Sequence, residues 1–152
     1  WKFIVITKRK YIKNIAEIIK EKSRVSGAGV NILLSSAARI IDNAQVVIGI
    51  YNSGELKRMG NKYKEIYAKF KDIIPKAELS AISAAIQNMI LMAEELSVGS
   101  CWLDVPLFCS KEINGLLDTE EELSAVLTLG YPAEEGRRSP RKPIQEVAKY
   151  IK

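Results

Sequence analysis

The feature that most constrains the fold is the stretch LSAISAAIQNMILMAEEL at residues 79–96, which combines helical spacing with apolar residues on nearly every side. The pattern predicts a helix over Leu79–Leu96, with Ser80 placed to cap its start. One apolar stripe includes Ile82 and Ile86, while Leu91 lies on another side. Because a domain of 152 residues cannot easily cover all of these faces, we expect a second subunit to cover part of the helix.

The remaining patterns predict an α+β domain. Apolar β-branched runs indicate strands, and amphipathic spacing indicates helices. Residues 26–43 fit neither pattern clearly, and the lysine-rich segment 52–76 is predicted to be a loop with one short helix. No repeat or linker divides the chain, so we expect one domain over residues 1–152. The predicted strands are 3–7, 44–51, 99–103 and 123–130, and the predicted helices are 8–23, 61–70, 79–96, 110–117 and 144–151.

The composition narrows the chemistry that the chain can perform. The absence of histidine excludes triads with a histidine base and zinc sites that use histidine, and we expect no metal site. Cys101 and Cys109 are too few for a secreted disulfide scaffold, which indicates a reducing cytoplasm, and they are interpreted as buried structural residues. Any chemistry is therefore expected to belong to a bound cofactor.

The charge distribution and hydropathy of the chain indicate which classes of partner it can bind. The net charge is +5, but the lysines are scattered with few aromatics among them, which disfavours nucleic acid as a partner. No apolar run approaches the roughly 18 residues that a membrane span needs, so no membrane association is expected. Because the sequence begins at Trp1 rather than methionine, we expect the natural N-terminus to lie upstream.

Two glycine- or arginine-bearing segments leave alternatives open. SGAGVN at residues 26–31 offers Gly27 and Gly29 as a partial dinucleotide fingerprint, but a flexible loop is the favoured interpretation. LTLGYPAEEGRRSPRKP at residues 127–143 carries Arg137, Arg138, Arg141 and Lys142 close together. Arginine binds phosphate through two parallel hydrogen bonds. This segment is either a phosphate clamp or an ordinary basic surface loop.

Three segments together resemble the FMN-dependent nitroreductase family. They are AAIQNMILMAEELSVGSCWL (84–103), LTLGYPAE (127–134) and SPRKPIQEV (139–147), and their order and spacing also match. The resemblance implies an α+β fold with a mixed central sheet flanked by helices. It also implies a homodimer with the long helix buried at its interface and FMN bound between the subunits. The family's N-terminal FMN-binding segment is absent from these residues.

The same resemblance implies an activity. NAD(P)H would reduce FMN, and a small-molecule acceptor such as a nitroaromatic or a quinone would then take the electrons, in a ping-pong order. No side chain need act as a catalytic acid or base. The alternative is a non-catalytic or biosynthesis-associated FMN-binding protein of the same fold, because DVPLFC (104–109) also resembles flavin-binding relatives fused to coenzyme F420 biosynthesis enzymes.

At the phosphate end, the resemblance implies that Arg141 binds the FMN phosphate. Ser139 stands where the family often has lysine, and Arg138 would compensate for that difference. Gly130, in the preceding Gly-Tyr-Pro motif, is also expected to contact the cofactor.

At the ring end, the resemblance implies that the backbone of Leu103, Asp104 and Val105 passes the flavin. The Val105 N–H is the expected donor to flavin N5. The segment ARIIDNAQVVI implies that Arg39 approaches the N1/C2=O edge, with Ser36 as a nearby polar contact. A positive charge there would stabilise the anionic reduced flavin.

Overall fold

The computed structural model describes residues 1–134, 136 and 139–151, and it describes only the backbone of residues 61, 64, 66 and 67. The strands are β1 (Lys2–Ile6), β2 (Val46–Asn52), β3 (Gly99–Leu103) and β4 (Glu122–Gly130). The helices are α1 (Arg9–Val25), α2 (Val30–Asn43), α3 (Glu55–Lys62), α4 (Lys64–Phe70), α5 (Ile74–Glu95), α6 (Ser110–Leu117) and α7 (Ile144–Val147), with a 3₁₀ helix at Val105–Cys109.

The four strands form one sheet in the order β1-β2-β4-β3. The α+β class is confirmed, but the expected mixed sheet is not what the described strands form, because all three pairings are antiparallel. The reason lies in the strand order. β1 and β4 run in one direction and β2 and β3 in the other, and the order β1-β2-β4-β3 places an oppositely directed strand between the members of each pair.

The sheet is covered on both faces, and successive side chains along each strand alternate between the two. On one face, which we call the hairpin face, Val47, Leu103 and Val126 belong to the core built with α1 and α2. On the other, the α5 face, Ile48 and Leu127 pack with residues of α5.

Within β2, Gly49 lies directly beneath the ring of Tyr51. A Cβ atom at Gly49 would come within 2.8 Å of Tyr51 Cε2. The Tyr51 side chain is fully buried, and its hydroxyl has no hydrogen-bond partner in the part of the chain that the structure describes. Burial raises the pKa of Tyr51 to about 12.

The unassigned segment 26–43 contains α2, which packs against α1 as a helical hairpin. The turn between them ends at Gly29, whose φ of 89° lies in the left-handed region that favours glycine. This position explains the SGAGVN motif as a turn, in agreement with the loop interpretation. Arg9 and Asp42 join the start of α1 to the end of α2 through a 2.6 Å salt bridge.

Helix α5 begins earlier than predicted and is less completely buried. It starts at Ile74 with a proline in its first turn, so Ser80 lies inside the helix and does not cap it. Ile82 and Ile86 are buried against the α5 face. The expected burial on several sides is not provided within the protomer, because Leu91 is 59% exposed and Leu96 is 64% exposed.

The segment 52–76 forms α3 and α4 rather than one short helix, and α5 already begins within it. Glu78, on α5, holds the start of α3: its carboxylate accepts hydrogen bonds from the Leu56 N–H at 3.0 Å and the Lys57 N–H at 3.3 Å. The same carboxylate accepts a bond from the Asn52 amide at 3.0 Å. A carboxylate at the first turn is favourable because it satisfies free N–H groups.

Candidate functional site

The segment implied to pass the flavin ring lies where β3 ends at the edge of the sheet. Leu103 is buried in the core of the hairpin face, and the next two residues lead directly into the 3₁₀ helix. The Val105 side chain packs on the same core, but no described residue accepts a hydrogen bond from its N–H. A backbone N–H without a partner is free to bond a ligand.

The Asp104 carboxylate is exposed but held in place. The Trp102 indole N–H donates to Asp104 Oδ1 over 2.7 Å. Trp102 packs against the core of the α5 face, whereas Leu103 faces the hairpin side. The carboxylate is thus fixed by a residue from the α5 side of the sheet. Sequence reasoning included Asp104 but missed Trp102, although their separation by two residues puts them on one face of an extended chain.

Gly130 lies at the other end of the β3–β4 pair. It is opposite Gly99 in the register, and a Cβ at Gly99 would come within 3.0 Å of the Gly130 carbonyl oxygen. Along β3, Gly99 and Leu103 are separated by about 13 Å at the usual strand rise of roughly 3.3 Å per residue. The predicted phosphate-end and ring-end residues therefore sit at opposite ends of one strand pair.

The basic segment continues from Gly130. Ser139 and Arg141 are exposed, while Arg138 falls outside the described residues, so its predicted role has no structural counterpart here. No salt bridge joins Arg141 to a described residue. The neighbouring Lys142 lies 4.0 Å from Glu146. Arg141 thus has a guanidinium available for an anion.

Arg39 and Ser36 lie on α2. Arg39 lines an open groove of about 470 Å³ between α1 and α2, together with Lys13 and Lys20. Ser36 is half-buried and does not line that groove. The groove that Arg39 lines includes none of residues 103–105. The predicted ring-edge cation Arg39 and the predicted ring contacts at residues 103–105 thus do not share this groove.

Both cysteines are free thiols, and burial raises the pKa of each. A raised thiol pKa disfavours the reactive thiolate, which agrees with the structural interpretation of Cys101 and Cys109.

Among residues 1–134, 136 and 139–151, no acidic and cysteine side chains cluster in a way that could hold a metal ion. In the same part of the chain, every helix is too short or too polar to span a bilayer.

A four-stranded antiparallel sheet between a helical hairpin and one long helix defines an α+β domain. The family comparison is specific: residues 1–131 match the model of the Nitroreductase family. The chain belongs to the nitroreductase family.

Individual relatives agree with this assignment. YfhC, a candidate NAD(P)H nitroreductase from Bacillus subtilis (strain 168), is 33% identical over 72 residues, which is 45% of this chain and 37% of that protein. A BluB-like flavoprotein from Clostridium difficile 630 has a TM-score of 0.66 at 27% identity, covering 100% of this chain and 80% of its own. A candidate nitroreductase from Desulfovibrio desulfuricans in complex with FMN has a TM-score of 0.62 at 22% identity, covering 97% and 69%. The match to YfhC thus spans well under two thirds of that relative.

Proposed function

We propose that this protein is an FMN-dependent oxidoreductase that uses NAD(P)H to reduce a small organic acceptor such as a nitroaromatic or a quinone. The observation that carries the proposal is membership of the nitroreductase family over residues 1–131. The relatives described as an NAD(P)H nitroreductase and as an FMN complex support the choice of donor and cofactor. When bound, FMN supplies hydride acceptance and electron transfer, in a ping-pong order.

The residues present suit a phosphate-bearing flavin. Arg141 has no described ion-pair partner and can bind a phosphate through two hydrogen bonds. At the ring end, the Val105 N–H lacks a described acceptor and can donate to a ring nitrogen. Gly130, Ser139 and Leu103 complete the proposed contacts through the backbone or a hydroxyl group. No side chain of this set need transfer a proton, so the chain's role is to bind, to orient and to set the local charge.

We further propose a homodimer that holds FMN between its subunits. Leu91 and Met92 are each 59% exposed on α5, and Leu96 lies nearby on the same helix. An apolar groove of about 420 Å³ lies beside them, lined by Met92, Leu96 and Leu129 among others. Exposed apolar surface of this kind marks an interface. Within one protomer, Arg39 lines a groove that does not include residues 103–105. A cofactor site shared by two subunits would bring these predicted FMN contacts together.

A second candidate is an FMN-binding protein without nitroreductase turnover, serving a biosynthetic partner. The similarity to a BluB-like flavoprotein at 27% identity favours it. The two candidates share the cofactor and differ in whether NAD(P)H can reduce it. For either one, the free thiols of Cys101 and Cys109 suit a reducing cytoplasm.

Purification of the natural full-length protein tests both candidates. We expect a yellow protein whose heat-released cofactor is FMN. Reduction by NADH or NADPH, followed by reoxidation with a nitroaromatic or a quinone, would support the oxidoreductase. Bound FMN that neither nucleotide reduces would support the second candidate, and a protein that takes up no FMN would refute both.

A further inference from the structure

The Trp102–Asp104 hydrogen bond joins a half-buried indole, packed on the core of the α5 face, to the edge of the proposed flavin site. The indole N–H reaches Asp104 Oδ1 at 2.7 Å, which is short for a nitrogen donor and typical of a bond to a charged acceptor. Asp104 has no salt bridge with a described cation. Its position therefore depends on Trp102 rather than on a neighbouring lysine or arginine.

The donor is itself well anchored. Trp102 is opposite Leu127 in the β3–β4 register and packs on the core of the α5 face. An exposed aspartate normally samples several rotamers, whereas a hydrogen bond from a packed indole restricts it. A half-buried indole thus donates to an exposed carboxylate that makes no side-chain capping hydrogen bond to the following 3₁₀ helix and no ion pair with a described residue.

The negative charge of the Asp104 carboxylate lies next to the proposed ring-binding segment. Asp104 immediately precedes the Val105 N–H, which is the proposed donor to the flavin ring. A fixed negative charge beside the ring opposes the added negative charge of a reduced flavin, and the effect grows as the site excludes water. A mobile carboxylate would turn toward solvent and be screened.

We propose that Trp102 is a positioning residue that fixes the Asp104 carboxylate at the ring-binding edge, and that this pair lowers the reduction potential of bound flavin. The inference rests on the proposed function, because it requires that FMN bind at residues 103–105. Because a lower potential makes reduced flavin a stronger reductant, the pair would increase the driving force for reduction of an acceptor.

The test measures the two-electron midpoint potential of the FMN-loaded protein for four variants. Asp104→Asn removes the charge, and we expect reduced FMN to gain about tenfold in affinity relative to oxidised FMN, which is a rise of about 30 mV. Trp102→Phe keeps the ring but removes the donor, and we expect a smaller rise. The double variant should match Asp104→Asn alone, because Trp102 acts only through Asp104. Asp104→Glu keeps the charge but moves it, and should give an intermediate rise.

Asp118→Asn is the matched control for charge. Asp118 has φ 50°, a conformation that asparagine also adopts, and it shares a surface groove with Lys2 of β1, at the sheet edge opposite β3. We expect no change in potential. An unchanged potential in Asp104→Asn, or a double variant equal to the sum of the single changes, would overturn the proposal.

A second readout separates this inference from the proposed function. In FMN-free protein, the Trp102 indole N–H resonance should move in Asp104→Asn and stay in place in Asp118→Asn. A resonance that does not move would overturn the positioning role even if the protein binds FMN with normal activity. Failure to bind any FMN would instead refute the proposed function, and the electrostatic role with it.

Discussion

Gly49→Ala tests the packing of the central strand. The new methyl carbon would lie 2.8 Å from Tyr51 Cε2, a separation that Cβ atoms in folded proteins almost never reach. Because the ring is fully buried and inside the core of the hairpin face, it cannot swing into solvent to relieve the clash. The ring or the strand must shift within a close-packed interior.

The expected magnitude follows from two opposing effects. Overpacking a core costs about 1–3 kcal/mol, while replacing glycine with alanine reduces the entropy of the unfolded chain by an amount worth roughly 0.4–1 kcal/mol. We therefore expect a net loss of about 1–2 kcal/mol in the free energy of unfolding. The assay is equilibrium urea unfolding at fixed protein concentration, read as a lower midpoint at unchanged slope.

Gly115→Ala is the matched control. Gly115 is exposed in the interior of α6, and a Cβ there would meet no atom within 4 Å. Alanine should stabilise the helix by about 0.5–1 kcal/mol, so the same chemical change should have opposite signs at the two sites. In Gly49→Ala, a further change of Tyr51→Leu should cost less than it does in the wild type, since it removes the clashing ring. A Gly49→Ala protein as stable as the wild type would refute the packing described here.

Three further predictions concern the buried hydroxyl, the phosphate end and the dimer. Tyr51→Phe should raise stability by about 1 kcal/mol, because the buried hydroxyl has no described partner. Burial raises the pKa of Tyr51 to about 12, so the unfolded chain loses the phenol proton first and the free energy of unfolding should fall as pH rises from about 10 toward 12. Tyr51→Phe should remove this fall in urea titrations. Arg141→Ala should weaken FMN binding by about 1.5–3 kcal/mol, with Arg141→Lys restoring only part of it in equilibrium titrations. Leu91→Glu should dissociate the proposed dimer and release flavin together, as sedimentation at the flavin absorbance band would show.

Each of these predictions has a distinguishing control. An unchanged alkaline component in Tyr51→Phe would assign that pH dependence to another group. Riboflavin lacks the phosphate, so it should bind wild type and Arg141→Ala equally; an equal loss of both ligands would contradict a phosphate contact. Ile90→Val changes a neighbour that packs against the protomer's own core, and it should leave the dimer intact. Flavin that sediments with a stable monomer of Leu91→Glu would contradict the shared site.

The sequence predicted the elements whose apolar residues face one core. The strand GSCWL was predicted with its observed bounds. Helix α2 escaped assignment because Ile32 and Leu33 are apolar yet exposed, which blurs the helical stripe. The start of α5 was predicted too late because its first turns are mostly polar or exposed. The capping of α3 by Glu78 was missed because a contact between two helices leaves no periodic pattern in the sequence.

The site was less predictable than the fold. Residues 103–105 are consecutive, so their common location follows from the chain itself. The outward groove at Arg39 depends on how α1 and α2 pack, and the Trp102–Asp104 bond depends on side-chain geometry at the strand end. The strand order, which makes every pairing of the described strands antiparallel, is likewise set by tertiary packing and is not encoded in local periodicity.

Anaerobic reduction of the purified natural protein tests the central claim most directly. An FMN oxidoreductase should show a flavin absorbance band at about 450 nm. This band should be lost on adding NADH or NADPH and restored by a quinone or a nitroaromatic. We predict that this cycle occurs without any added protein. Absorbance that persists in the presence of both nucleotides, or the absence of a flavin band after incubation with FMN, would contradict the account.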